Sequence, residues 1–569
     1  MDNFTLLKLD RAIWVALLEK EDVVEAVKYY ELFCRKLKDY DDSGHSLDIK
    51  IELEFSHKLF MTKIAALADK FLREKDYKNA VMAYSIAFKN NTDNANCLKN
   101  YIICLDALKQ YDLKLEVIKH LETVSKNDLE CSKLLAQSYE QQAMYLEAIN
   151  TMKDYIEKRG NDASDEDYNI LGCFYNEYYS DVTHKKIDAQ KGYEAFTIAS
   201  DMSPTTRLFA KNATIMAGKI NEFDGGRKYW ERVIKTNQMT NDDKFDYAAF
   251  CLKTEDFAGW HKYFDARFKK ENNPTFFPVI EKPQWTGNED LSNSTLLVHC
   301  EQGFGDTFLF WGYMPRLLKL AKHIIFVVQN EIYELLKDND WGIEIYSRDN
   351  LDFNSINFDY FIPSMSIPIV LKLDRSNISV GSGYIKPNPD KVKEFKERFF
   401  NNDKFKIGLS FSGSKTGTQS RDAAVPEFLP FEGLDNIQLY NLTKDVTDTQ
   451  LGIFKKNKVI NVVKYAYNFA DTAAAIANCD IVVTTDNCIL NVAGSIGKRT
   501  LGLFNWSSNF RWFDLTGDDI IWFNCVKPFV CSDIDYWYSA IQPAINYIKE
   551  IMNKNDPSKF CDKECEQNL

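Results

Sequence analysis

Tyrosines at positions 77, 111 and 145 stand 34 residues apart. Each opens a similar phrase, "YKNAVMAYSIAF", "YDLKLEVIKHL" and "YLEAINTMKDYI". After a slip of roughly a dozen residues, which is what an insertion between repeats produces, the pattern resumes. It returns in "KGYEAFTIASDMSP" with Gly192, Phe196, Ala199 and Pro204. Phe223 and Phe257, and likewise Trp230 and Phe264, are again 34 apart. An earlier copy holds Ala26, Tyr30 and Phe33. A small residue followed at helical spacing by an aromatic lets two helices approach closely while the ring fills the gap beside them. No such unit buries its apolar face alone, so a fixed period of this length demands that units stack in a line.

The 34-residue period resembles that of tetratricopeptide repeats. That resemblance implies an α-helical superhelix over residues 1–275, with a concave groove suited to an extended peptide or a protein surface. Residues 269–294, "KKENNPTFFPVIEKPQWTGNEDLSNS", hold three prolines and many turn formers, and the helical period stops there. We place a linker at 276–294.

After it the period changes. "TLLVHC", "HIIFVVQ", "GIEIYS" and "DYFIPS" read as strands between helical stretches, and a second alternating block begins at "FKIGLSFSGS". It continues through "IQLYNLTK", "NFADTAAAIANC", "DIVVTTD", "NCILNVAGSIG" and "RTLGLF", and a closing helix follows. Alternating strand and helix means a parallel sheet. Two such blocks imply an α/β region of two Rossmann-like domains facing a cleft, 295–390 and 391–569. Ligands in such sheets bind beyond the carboxyl ends of the strands.

Composition narrows the function. The 569 residues carry a net charge of −13, which disfavours a polyanion-binding protein. The acidic start "MDNFTLLKLD" is unlike an export signal, and no apolar run reaches membrane-spanning length. The 13 scattered cysteines, including Cys97, Cys104 and Cys300 in apolar surroundings, suit a reducing cytoplasm. The pair Cys561 and Cys565 in a polar tail is too little for a metal site, and none is expected.

The chemistry concentrates in "CEQGFGDTFLF", Cys300–Phe310, where a strand turns into a helix. Gly303 and Gly305 permit close backbone approach, and helix-start amides favour an anion. Asp306 either caps that helix or projects into the cleft as a general base. Gln302 and Thr307 flank it, and His299 on the strand either packs in the core or faces the cleft.

"LLVHCEQGFGDT" resembles the opening of sugar transferases related to the ADP-heptose heptosyltransferases, glycosyltransferase family nine, and most of all bacterial proteins in which tetratricopeptide repeats precede such a domain. "GLSFSGS", "YNLTKD", "FADTAAAIANCDIVVTTDN", "AGSIGKRTLGLF" and "NWSSNFRW" follow that family's segments in order. The resemblance implies a GT-B fold and an inverting, metal-independent transferase. Asp306 stands where the family carries its proposed base. Ser412, Gly413, Ser414, Arg421, Lys444, Asp486 and Asn487 fall on the donor-binding side, with Lys415 competing for the role of Arg421. Simple helix capping is the other reading of Asp486 and Asn487, and a solvated strand end that of Lys444. Two departures stand out: Asn491 replaces the family's His, and Ala423 replaces one of its paired arginines. They leave the donor open between ADP-heptose and UDP-GlcNAc types, the latter because O-GlcNAc transferases join the same two parts. No cofactor beyond the nucleotide-sugar substrate is implied. The expected acceptor is a protein Ser or Thr held by the repeats, a flagellin or surface adhesin. The alternatives are a scaffold with an inactive transferase-like domain, or a transferase acting on a lipid-linked saccharide.

Overall fold

The computed structural model describes residues 3–41, 46–90, 92–126, 128–271, 277–349, 351–413 and 421–553. Two compact units divide the chain: residues 1–183 with 191–203, and residues 184–190 with 204–569. Among its described residues the first unit holds helices and turns and no strand. Pairs such as Ala95–Ala107 with Tyr111–Val124, and Leu129–Gln141 with Tyr145–Arg159, form successive antiparallel hairpins.

The 34-residue period has a backbone cause. Lys75, Lys109 and Ala143 all adopt left-handed conformations, with φ of 60°, 57° and 57°. The amide that follows each one bonds back five residues: Asp76 to Phe71, Gln110 to Leu105 and Met144 to Tyr139, each at 2.9 Å. This is a helix-terminating turn of the Schellman kind. It closes one helix and starts the next at Tyr77, Tyr111 and Tyr145. In the second unit Asn221 and Glu255 repeat it, again 34 apart, ahead of the helices at Phe223 and Phe257. The small residues do what their spacing implies. A Cβ on Gly172 would lie 2.6 Å from the Phe196 ring, and one on Gly226 would lie 3.0 Å from Phe250. The slip in register falls where the helix Asp165–Tyr178 runs on into the π-turn Tyr179–Thr183.

The second unit begins with two more helical hairpins, Arg207–Ile220 with Phe223–Lys235 and Asn241–Lys253 with Phe257–Tyr263. The expected domain break at 275 therefore does not coincide with the division into units, because these repeats pack with the α/β region. Ala248, Leu252, Trp260 and Phe264 share one apolar core with residues of both sheets.

Both sheets are wholly parallel. The first comprises β1 (Thr295–His299), β2 (His323–Val328), β3 (Glu344–Ser347) and β4 (Tyr360–Pro363), in the order β3-β2-β1-β4. The second comprises β5 (Phe405–Ser410), β6 (Ile437–Asn441), β7 (Ile460–Asn461), β8 (Ile481–Thr485), β9 (Thr500–Phe504) and β10 (Val526–Val530), in the order β10-β9-β8-β5-β6-β7. The short β7 and the edge strand β10 went unread in the sequence. One has only two residues, and "VKPFV" carries a proline and a lysine, which suit an edge. Among the described residues no helix is long and apolar enough to cross a membrane.

One buried ion pair joins the last repeat to the first sheet. Arg267 donates from Nε and Nη2 to the two carboxylate oxygens of Glu301, at 2.8 and 3.0 Å. It also reaches Asp265 at 2.6 Å and Ser366 at 2.7 Å. Arg267 is 1% exposed and Glu301 2%. The rings of Phe264 and Phe268 lie against the guanidinium, 4.5 and 3.9 Å from ring centre to Cζ. Glu301 further accepts the Met365 amide at 2.8 Å, so its oxygens are well occupied.

Removing one partner of a buried pair strands the other charge, at a cost of about 3–5 kcal/mol. Glu301→Gln is expected to lower the unfolding free energy of the second unit, read from urea titration, by about that much. Tryptophan fluorescence reports it, because nine of the ten tryptophans lie in that unit. The double variant Arg267→Met with Glu301→Leu should lose less than the sum of its singles, and simple additivity would contradict a coupled pair.

Candidate active site

Strand β1 delivers the loop at the heart of the site. Gly303 is the N-cap of the helix Phe304–Trp311, which places Asp306 in its first turn. The Asp306 side chain reaches back to the amide of Gly303 at the cap of that helix, and it also pairs with the second α/β domain. Its Oδ1 lies 2.7 Å from Nε of Arg511, which comes from the second α/β domain. This Nε makes no hydrogen bond of good geometry, so the contact is a charge pairing and not a directed bond. The same guanidinium donates to Oε1 of Gln302 at 2.7 Å and to Asn509 at 3.1 Å. Burial pushes Asp306 above the ordinary carboxylate range. Arg511 opposes that shift, while the nearby charges of Glu301 and Asp486 reinforce it.

Asp486, whose charge acts on Asp306, follows the carboxyl end of β8. Burial raises its carboxyl too, against the cations Arg421, Arg511 and Lys253, and the Trp512 side chain hydrogen-bonds it. Three cations thus act on Asp486, and one of them, Arg511, also on Asp306, in a chain whose net charge is −13. Cations collected in this way favour an anionic ligand.

Other expected donor-side residues have different duties. Asn487 is the N-cap of the helix Cys488–Ser495, accepting from the Ile489 amide at 2.9 Å, and its Nδ2 donates to Ser410 and Thr485. The capping reading holds for it, and that for Asp486 does not. Asn491 is buried against Gly305, where an added Cβ would come within 2.6 Å of the Asn491 amide nitrogen. Where the family has a His, this chain has a contact between the two α/β domains. The Gly413 amide donates to Asp422 Oδ1 at 3.0 Å, so a carboxylate of the chain already sits on an amide expected to hold phosphate. Ser412 lies beside it, half-buried. Lys444 is exposed in the turn after β6. Ser414 and Lys415 lie outside the described residues.

Two readings on the first domain are decided by the structure, His299 in favour of the core and Thr307 against the cleft. His299 is not in the cleft. It is fully buried against Phe277, Phe353 and Phe361, its Nδ1 bonds the Cys300 carbonyl at 3.1 Å, and burial lowers its basicity. Thr307 turns inward, donating to Gln329 Oε1 at 2.8 Å. Arg511 and Lys253 were missed. Arg511 lies inside the quoted "NWSSNFRW", where the aromatics drew attention. Lys253 looks like any lysine at the end of a repeat helix.

A second candidate lies wholly in the first unit. A cavity of about 490 Å³ is lined by Asp106, Glu140, Glu166 and Glu177, with Ile103 and Ile170 as apolar floor. Its one lining lysine, Lys114, is bound to Asp106 and Gln141. Burial and the neighbouring Glu140 carboxylate push Glu177 up to about 7. The groove is acidic and partly apolar.

Two outcomes check these arrangements. Gly305→Ala gains up to about 1 kcal/mol of helix propensity, yet it should lower the thermal midpoint because Asn491 must move. Adding Asn491→Ala should restore most of the loss. A more stable single variant would refute the packing. For Glu177 the sign follows from linkage. A carboxyl raised from 4.5 to about 7 binds more protons folded than unfolded in that window, so its contribution worsens as pH rises through it. Glu177→Gln should therefore stabilise the chain at pH 8, with the gain shrinking towards pH 5 in thermal melts.

No family model matches the chain. Among curated proteins it is similar to the protein FlbA of Caulobacter vibrioides, 22% identical over 313 residues, covering 49% of this chain and 50% of that one. The chain thus spans about half the length of that relative. Among solved structures it is similar to the glycosyl transferase family 9 protein of Veillonella parvula, with 13% identity, a TM-score of 0.36, and coverage of 47% of this chain and 99% of that one. It is also similar to MamA from Desulfovibrio magneticus, with 15% identity, a TM-score of 0.28, and 32% and 96% coverage. A third is PilF of Pseudomonas aeruginosa, with 11% identity, a TM-score of 0.29, and 36% and 89% coverage. These overlaps are partial and their scores low. What defines the chain is its own order of elements, helical repeats followed by two parallel sheets.

Proposed function

We propose that the α/β region transfers a sugar from a nucleotide-sugar to a hydroxyl group, with inversion and without a metal ion. The observation that carries this reading is the pair Asp306 and Asp486, near enough that the charge of the second raises the first, and both acted on by Arg511, with Arg421 and Lys253 acting on Asp486. A base must be held near the acceptor, and its carboxyl is useful when raised towards neutrality. Leaving-group charge grows as the glycosidic bond breaks. Cations fixed beforehand stabilise that state more than the ground state.

In this mechanism the diphosphate lies at the carboxyl ends of β5 and β8, near Ser412, Gly413 and Arg421. Its charge draws Arg511 off Asp306, and the freed carboxylate takes the proton of the acceptor hydroxyl. Asp422 leaves the Gly413 amide to the phosphate. The acceptor is a protein Ser or Thr, a flagellin or adhesin before export, held in the cytoplasm by the repeats. The acidic groove favours acceptor segments in which a Lys or Arg accompanies the hydroxyl residues. The donor is of the UDP-GlcNAc or ADP-heptose type.

A second reading has specific support: the chain is a binding scaffold with a silent transferase-like domain. Asp306 is already paired, Gly413 is already occupied, and Gly305 is pressed on Asn491. A panel of ADP-, UDP- and GDP-sugars offered to the purified full chain separates the two. The transferase reading expects slow donor hydrolysis that falls by about 10²–10⁴ in Asp306→Ala while donor binding by calorimetry persists. Because burial raises Asp306, the acid limb of the rate should lie above the usual carboxylate pH. Donor binding without turnover under every condition would establish the scaffold instead.

A further inference from the structure

The helix Asn241–Lys253 is the first of the last repeat hairpin, and its final residue enters the α/β region. Lys253 Nζ lies 2.7 Å from Ser508 Oγ, 3.4 Å from the Ser508 carbonyl and 3.1 Å from the Trp512 carbonyl. An ammonium has three N–H donors and no acceptor, so three oxygens converging on it make a complete set. The segment it holds carries two of the side chains at the cleft: Arg511, paired with Asp306, and Trp512, bonded to Asp486. The same repeat helix supports the segment a second way. Phe245 meets Phe510 edge-on at 6.1 Å. Trp522 Nε1 donates to the Arg511 carbonyl at 2.7 Å from the other side.

We infer that Lys253 is a positioning residue: it clamps segment 508–512 so that Arg511 and Trp512 meet the two cleft carboxylates, which makes the last repeat a working part of the site and not a detachable adapter. The charged group that acts on this clamp is Asp486. Asp486 favours the protonated amine, and burial outweighs it, lowering Lys253 to about 8. Above that pH a neutral amine offers two donors to three acceptors, and the clamp loosens. The consequence for catalysis rests on the transferase reading, whereas the clamp does not.

Hydrogen exchange on the full chain tests it, comparing the parent with Lys253→Met and Lys253→Arg at pH 7 and pH 9 after correction for intrinsic rates. In Lys253→Met the amides of 508–513 should exchange roughly tenfold faster or more, as loss of charge-assisted bonds implies. Strands β5, β8 and β9 should be unchanged. Lys253→Arg should fall between. The parent should loosen at this segment between pH 7 and pH 9, and Lys253→Met should not. Unaltered protection of 508–513, or a uniform rise across the second unit, would overturn the inference. Nucleotide-sugar turnover forms a separate arm: a fall in kcat with little change in KM for the donor is expected in Lys253→Met. If the parent turns over no donor while the exchange result holds, the transferase reading fails and the clamp stands.

Discussion

The buried pair of Arg267 with Glu301 is the constraint on which the second unit depends. Both charges have left water, and each is compensated by more than its partner: the guanidinium by Asp265, Ser366 and two aromatic faces, the carboxylate by the Met365 amide. Buried ion pairs are costly to assemble and costlier to break. Their value here is geometric. Glu301 stands two residues before the Gly303 N-cap, so fixing it fixes where β1 ends and where the Asp306 helix starts. The repeat that supplies Arg267 thereby sets the position of the candidate base.

A second consequence is electrostatic. The chain as a whole repels anions, yet around Asp486 it collects Arg421, Arg511 and Lys253 from three separate stretches. No local run of basic residues exists to announce this. The charge is concentrated by folding, in surroundings dry enough to raise both carboxyls and lower the lysine. Preorganised charge of this kind is what a departing diphosphate requires. In the Asp306–Arg511 contact a cation of the cleft meets one of the protein's own acids.

Much of the architecture was legible because it follows from periodicity. A 34-residue step in Tyr77, Tyr111 and Tyr145 reports a turn that recurs with the same left-handed residue and the same backward hydrogen bond. The apolar runs at 295–299, 323–328 and 481–485 are buried parallel strands, as their composition implies. The strands that escaped notice, β7 and β10, are short or partly polar. Among site residues, Asp306 and Asp486 were visible because each follows a strand at a helix start. The core reading of His299 held and the cleft reading of Thr307 did not, because alternation along a strand and rotation about a helix decide which way a side chain faces, and a one-residue offset reverses it.

The sequence by itself determined the order of the parts, the repeat length, the two parallel sheets and the strand-to-helix loops on which Asp306 and Asp486 stand. These depend on near neighbours in the chain and are written in local patterns. Only the tertiary structure decided that the last repeats belong to the same compact unit as the sheets, that Arg511 meets Asp306, that Asn491 became a packing partner of Gly305, and that a lysine from a repeat helix holds the segment bearing Arg511 and Trp512. Those outcomes join residues as far as 259 positions apart, as Lys253 and Trp512 are. The strength of such contacts comes from shared burial, which local sequence does not encode.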